Sequence, residues 1–327
     1  MSDAIQLEGV TKTFGTKVAV RDLDMVVTRG MLVGYIGPNG AGKTTTIRMI
    51  MSILFQDSGR ISVLGHGSAL DAKERIGYLP EERGLYKKMK VGSFLRYISR
   101  LKGFSGPDVK SRVRRWLERV ELGDVENKRC DELSKGMQQK VQFITAVIHE
   151  PELLILDEPF SGLDPVNMRL LRELIREQHQ RGATVIFSTH VMIQAEQLCD
   201  HILMIDDGRK VLDDSIGSIR ARFDPRTVIV EPLDAETDVA PLRSVPGVRD
   251  VQKNGEQYEV QLGEGTNAAG VLRDITAAIP VVRAELRRPT LEDIFVQIVT
   301  ESRDVSDGDS RSLRRALRED SVREIGV

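Results

Sequence analysis

Cysteine is nearly absent: two residues in 327, at positions 130 and 199. So few thiols, so far apart, give no disulfide framework, and a reduced, cytosolic compartment is the simplest account. Long apolar runs are missing too. No stretch approaches about 18 uninterrupted apolar residues, so no bilayer-spanning helix is expected. The opening MSDAIQLEGV lacks the basic patch and apolar segment of a secretory signal. Charge of one sign is not in excess, since 47 Lys and Arg stand against 49 Asp and Glu for a net charge of −2. No global basic field therefore points to nucleic acid. Internal repeats are lacking, and the histidines other than His190 suggest no metal site. What remains is a globular composition, 40% hydrophobic and 29% charged, long enough for one large domain and one small one.

Along the chain, AIQLEGVTKTF and MVVTRGMLVGYIG read as β-rich. Residues 31–36 form a short apolar run bounded by glycines, the pattern of a buried strand. KTTTIRMIMSIL (43–54) has helical spacing, and GRISVLG and RIGYLP are strand candidates. SFLRYISRLKGF and PDVKSRVRRWLERV predict two helices, with Pro107 opening the second and Trp116 a packing residue on its apolar face. KVQFITAVIHE predicts a helix stopped by Pro151. LLIL (153–156) predicts another buried strand, NMRLLRELIREQHQRG an amphipathic helix ended at Gly182, and TVIFSTH a strand. QAEQLCD predicts a short helix, and HILMIDDGRKV a hairpin turning at DDG. Strands alternating with helices predict an α/β fold with a parallel sheet. The helix-rich block over about 85–150 interrupts the alternation as an inserted helical subdomain. After about residue 222 the style changes to short strands, a helix over NAAGVLRDITAAIP, a strand over VVRAELRR and a last helix over TLEDIFVQIVT with Thr290 as N-cap. This predicts a small α+β domain at 225–300 following a 1–222 domain. Residues 303–327 are polar and charged, which predicts a disordered tail with a helical turn at SLRRALRED.

GPNGAGKTTT matches G-x-x-x-x-G-K-[ST] at Gly37, Gly42, Lys43 and Thr44, after a predicted strand and at the start of a predicted helix. Glycines let the backbone of Gly37, Pro38, Asn39, Gly40, Ala41 and Gly42 fold tightly enough to aim N–H groups inward. The helix start at Lys43, Thr44 and Thr45 adds its positive dipole end. Lys43 is expected to reach the β and γ phosphates of a nucleoside triphosphate, and the Thr44 hydroxyl to hold Mg2+. LLILDEP sets Asp157 and Glu158 at the C-terminal end of a buried strand, where a parallel sheet binds its ligands. Asp157 is the expected Mg2+ partner, and Glu158 is positioned to polarise an attacking water.

At these residues the chain resembles the ATP-binding cassette (ABC) ATPase family, over roughly 4–220, with its motifs in order: GPNGAGKTT as Walker A and LLILDEP as Walker B. LSKGMQ is similar to the signature LSGGQ. The resemblance implies a P-loop NTPase fold that binds ATP and Mg2+, with roles beyond the phosphate loop. Phe14 stacks on adenine. Ser134, Lys135, Gly136, Met137 and Gln138 form the signature, which caps the γ-phosphate held by a second copy packed head to tail. Ser161, Gly162, Leu163 and Asp164 resemble the D-loop, and His190 the switch histidine that holds Glu158 and the water. Two positions depart from the family pattern. Lys135 replaces a glycine. Glu81, in GYLPEERGLY, replaces a glutamine and would bring a carboxylate to Mg2+. LPEERGLY and the appended C-terminal domain resemble one bacterial export-type subgroup.

The expected function is therefore the ATP-hydrolysing subunit of an ABC transporter, working on the inner face of the cell membrane through a separate permease that docks near 81–105. The alternative is a soluble ABC ATPase acting on ribosomes or DNA. Against it stand the single cassette, the absence of a long heptad coiled coil and the missing basic stripe. A guanine-reading GTPase is disfavoured because NKRC (127–130) carries Cys130 where such a motif needs aspartate. For the C-terminal domain, packing or dimer stabilisation competes with regulation.

Overall fold

A computed structural model describes residues 3–82, 84–104, 106–223, 227–234, 236–263 and 265–303, with side chains to residue 300. The tail predicted to be disordered, and the helical turn within it, lie outside the described residues from 304 onward. The described residues divide into two compact units, one over 3–216 with 299–303 and one over 217–298.

The first unit opens with β1 (Asp3–Phe14), β2 (Lys17–Thr28), β3 (Leu32–Ile36), α1 (Lys43–Ile50), β4 (Ser58–Val63) and β5 (Ile76–Leu79). Helices α2 (Val91–Leu101), α3 (Asp108–Arg119) and α4 (Lys135–Val147) follow in succession. Alternation then resumes with β6 (Leu153–Asp157), α5 (Pro165–Gln180), β7 (Thr184–Thr189), α6 (Met192–Leu198), β8 (His201–Asp206) and β9 (Arg209–Ser215). The central sheet has the order β5-β6-β7-β3-β8-β9. Its first five strands are parallel, and β9 returns antiparallel beside β8. Every residue of β3, β6 and β7 is buried, as expected of parallel strands covered on both faces. The β8–β9 hairpin turns at Asp207 and Gly208, both at positive φ (45° and 75°), which suits a two-residue turn with primed geometry.

A second, antiparallel sheet, β2-β1-β4, contributes Ile5, Leu7, Val10, Leu23, Met25 and Val63 to one apolar core. The same core contains Tyr35 of β3, Ile47 and Ile50 of α1, Ile155 of β6 and Ile205 of β8. Each such buried aliphatic side chain contributes about 1.5–3 kcal/mol. This core fixes the base of α1 against the sheet and so fixes the loop in front of it. Trp116 is 5% exposed and packs edge-on to Phe143 of α4, the packing role expected of it. Cys130 and Cys199 are buried free thiols.

Across the division runs α7 (Ile216–Arg222). The second unit then follows with β10 (Thr227–Pro232), β11 (Val248–Asn254), β12 (Gln257–Leu262), α8 (Ala268–Ala278), β13 (Val281–Arg287) and the start of α9 (Leu291–Arg303). Its sheet is antiparallel throughout, in the order β11-β12-β10-β13. This is the split βαββαβ topology of ferredoxin-like folds, with the first helix reduced to a short 3-10 segment, Ala240–Ser244. One face is apolar, where Val228, Val230, Val260, Val271 and Ile275 share a small core. Thr290 caps α9 as expected. Its Oγ1 accepts from the amide of Asp293 at 3.2 Å, and Asp293 Oδ2 accepts in return from the amide of Thr290 at 3.1 Å.

Candidate active site

Three neighbouring strands deliver the predicted residues to one edge of the central sheet. β3 runs into the loop 37–42, β6 ends at Asp157 and Glu158, and β7 leads to Ser188, Thr189 and His190. The order β6-β7-β3 makes their C-terminal ends adjacent, at the place where parallel α/β sheets bind ligands.

The loop is shaped by close packing. A Cβ on Gly37 would lie 2.2 Å from the carbonyl of Ile205, and one on Gly42 would lie 2.4 Å from the carbonyl of Ala19. Gly42 also adopts φ 108°, outside the range of ordinary side chains. Asn39 and Gly40 at the tip are exposed, while Ala41, Gly42 and Lys43 are buried. Lys43 Nζ donates to the carbonyls of Gly37 (2.8 Å) and Pro38 (3.1 Å), and it stands 3.9 Å from Glu158 Oε1. A relay behind the loop holds α1: Tyr35 Oη donates to Thr46 Oγ1, which donates to the carbonyl of Gly42. Burial pushes the Tyr35 phenol well above its ordinary range, so it remains a donor.

Thr44 Oγ1 lies 3.3 Å from Asp157 Oδ1 and 3.5 Å from Glu81 Oε2. One hydroxyl proton thus stands between two carboxylates. Asp157 is 1% exposed. Its Oδ1 accepts from Ser188 Oγ at 2.5 Å, whereas its Oδ2 is buried with no partner. Burial pushes the Asp157 carboxyl up to about 6. The Ser188 hydrogen bond opposes this, and the charges of Glu81 and Glu158 add to it. A buried carboxylate with one oxygen lacking a donor, and the other near a threonine hydroxyl that also reaches a second carboxylate, is a donor set that suits a hard cation such as Mg2+.

Glu158 has positive φ, 46°, uncommon for a non-glycine residue. Its amide donates to the Oγ and carbonyl oxygen of Ser188, and its Oε1 lies 2.9 Å from His190 Nδ1. Nδ1 therefore carries the proton in this contact. Glu158 and His190 are mostly buried.

The signature stretch turns elsewhere. Ser134 caps α4, its Oγ accepting from the amide of Met137 at 3.3 Å. Gln138 Nε2 donates to the carbonyl of Leu133 at 3.0 Å. Ser134 and Lys135 are exposed, and Gly136 and Met137 half-buried. A Cβ on Gly136 would meet nothing closer than Leu163 and Asn167, each at 3.7 Å. The chain's own packing does not demand glycine there. Ser161, Gly162, Leu163 and Asp164 lead into α5, where Asp164 Oδ1 accepts from the amides of Val166 and Asn167, both at 3.0 Å. Phe14 ends β1, 49% exposed, with Lys12 Nζ 5.5 Å from its ring centroid.

Three contributors were not singled out from the sequence. Ser188 bridges Asp157 and Glu158. Gln139, buried, donates from α4 to the carbonyl of Pro159 at 3.0 Å. Gln142, also buried, donates to the carbonyls of Pro80 and Glu82, both at 3.2 Å. The signature helix thereby grips the backbone on either side of Glu81 and just after Glu158. Polar residues three apart on the buried face of a helix were the available signal.

Comparison with known proteins decides the family. Residues 20–161 match the "ABC transporter" family, and residues 215–299 match "ATP-binding protein DrrA1-3-like, C-terminal domain". A Bacillus subtilis relative, the uncharacterized ABC transporter ATP-binding protein YhaQ, is 40% identical over 295 residues, spanning 90% of this chain and 98% of that one. The chain belongs to the ABC transporter ATP-binding family. It is an ATPase that binds ATP and powers a membrane transporter. The Nod factor export ATP-binding protein I of Rhizobium sp. (strain N33) is 33% identical, over 90% of this ABC chain and 96% of its own length. A solved "Structure of ATP binding subunit of ABC transporter" superposes with a TM-score of 0.62 at 32% identity, covering 67% of this chain and 92% of the other. No helix among the described residues of the ABC protein is long and apolar enough to cross a membrane.

Proposed function

We propose that this chain is the nucleotide-binding subunit of an exporter, built as an ATPase domain over 1–222, with a helical subdomain at about 85–150, and a small α+β domain over 225–300. It works on the cytoplasmic face of the membrane, docked on a separate permease. The Nod factor export relative supports export. The observation that carries the catalytic reading is the convergence of Lys43, Thr44, Asp157, Glu158 and His190 at adjoining strand ends.

In this reading residues 37–45 cradle the triphosphate of ATP, and Phe14 covers the adenine. Lys43, held by two carbonyls, meets the β and γ phosphates. Thr44, Asp157 and Glu81 would hold Mg2+, which when bound would supply charge neutralisation for the phosphate oxygens. Glu158 accepts a proton from the attacking water. His190 fixes the orientation of Glu158 through Nδ1 and stands at the γ-phosphate. The site is completed by a second copy. Its Ser134 hydroxyl, its Gly136 backbone and the start of its α4 cover the γ-phosphate, with Lys135, Met137 and Gln138 setting that helix start and Ser161–Asp164 lining the seam. That a Cβ would fit at Gly136 without a clash supports this arrangement, because a glycine not required by its own fold fits a close approach from outside.

The test is Glu158→Gln. The variant is expected to keep ATP affinity, lose turnover and accumulate as a dimer in ATP and Mg2+ on a sizing column. Turnover at the wild-type rate would remove Glu158 from the role of base.

A further inference from the structure

We infer that this chain binds one divalent cation at Thr44, Glu81 and Asp157 before nucleotide arrives, and that Glu81 makes this possible. The inference rests on the Mg2+ reading above and extends it to the nucleotide-free state. Three observations carry it. Asp157 is 1% exposed, and its Oδ2 has no donor at all. A carboxylate oxygen in that position is costly to bury unless something positive meets it. Next, Thr44 Oγ1 lies within reach of both Asp157 Oδ1 and Glu81 Oε2, yet it has one proton for two acceptors. Finally, the neighbouring cations have partners of their own. Lys43 sits on the carbonyls of Gly37 and Pro38 and beside Glu158, and Arg48 pairs with Glu82 at 3.7 Å.

Two carboxylates and a hydroxyl on three separate segments form a hard oxygen cluster. With an amide at position 81 the cluster would have a single carboxylate and half the charge. Mg2+ is usually held by one or two carboxylates and completes its shell with water or phosphate. Nucleotide would then meet a cation already in place and displace water from it.

The experiment uses the full-length nucleotide-free chain and Mn2+, read by loss of the free-ion electron paramagnetic resonance signal. Mn2+ is bound by the same oxygen donors as Mg2+ and more tightly. One Mn2+ per chain is expected, displaced by excess Mg2+. Glu81→Gln is expected to weaken it at least tenfold, while Glu82→Gln leaves it unchanged. Glu81 is exposed, so its replacement leaves the core intact, which circular dichroism checks. Absence of Mn2+ binding up to millimolar concentration, or equal affinity in Glu81→Gln, overturns the inference. If the wild type binds no Mn2+ alone but still requires Mg2+ to retain ATP, only the nucleotide-free claim falls. If ATP binding ignores Mg2+ altogether, the metal reading of the site falls with it.

Discussion

The two units of this chain solve the same packing problem differently. In the first, β3, β6 and β7 are buried on both faces and all point the same way, so their C-terminal ends gather at one edge and the loops beyond them meet. Chemistry collects there because parallel topology puts three strand ends side by side. In the second unit the strands alternate in direction and bury one face over α8. Their ends are shared between both rims, and among the described residues no buried carboxylate or lysine converges at either. The first arrangement gathers the candidate catalytic side chains at one edge, and the second gathers no such set among its described residues.

Breaking the loop should have the largest effect. Lys43→Ala removes the cation proposed to meet the phosphates. ATP affinity by calorimetry should fall roughly a hundredfold, in line with about 3 kcal/mol for a charge-assisted contact, while melting of the second unit is unchanged. An affinity within a factor of two of wild type would contradict the loop's assigned role.

Next comes the core of the second unit. Ile275 is fully buried, and Ile275→Ala should cost about 2–4 kcal/mol of that unit's stability. ATP affinity should stay at the wild-type level if residues 217–298 fold as a separate module. A parallel loss of nucleotide binding would join what the comparison divides.

Smaller, and confined to the first unit, is a pH effect at His149. Its Nε2 lies 3.1 Å from the carbonyl of Ile76, which Lys102 Nζ also approaches at 2.8 Å. Burial, aided by the Lys102 charge, pushes the imidazole down to about 4. The unfolded chain, titrating near 6.5, therefore binds the proton first. The stability from this group is complete above the unfolded value and is lost as pH falls from 6.5 toward 4. By linkage the loss between pH 7 and pH 5 is about 2 kcal/mol. Chemical denaturation at both pH values should show this slope in the wild type and a shallower one in His149→Gln. Equal slopes would mean that His149 is not kept neutral by the fold.

Much of the first unit was legible because its signals are local. The glycines of the 37–42 loop, the run ending at Asp157 and the alternation of strand and helix each occupy a short window. Less visible was whatever depends on distant partners. β2 begins at Lys17, earlier than its apolar part suggests, because pairing with β1 extends it over KVAVRDLD. The helix over KVQFITAVIHE begins at Lys135, so the signature residues stand on its first turn. Ser188 reads as one more strand residue until β6 and β7 lie side by side. In the second unit the order β11-β12-β10-β13 depends on pairings between strands far apart in sequence, which no short motif announces.

The central claim is that each reaction centre takes residues from two copies. Lys43→Ala and Gly136→Asp test it together, since the first keeps an intact signature and the second an intact phosphate loop. ATPase rate is measured for each variant alone and for an equimolar mixture at the same total concentration. Each variant is expected to be inactive alone, and the mixture to regain turnover from dimers that contain one complete centre. A mixture no faster than the sum of its parts, or full activity in Gly136→Asp by itself, would contradict the claim.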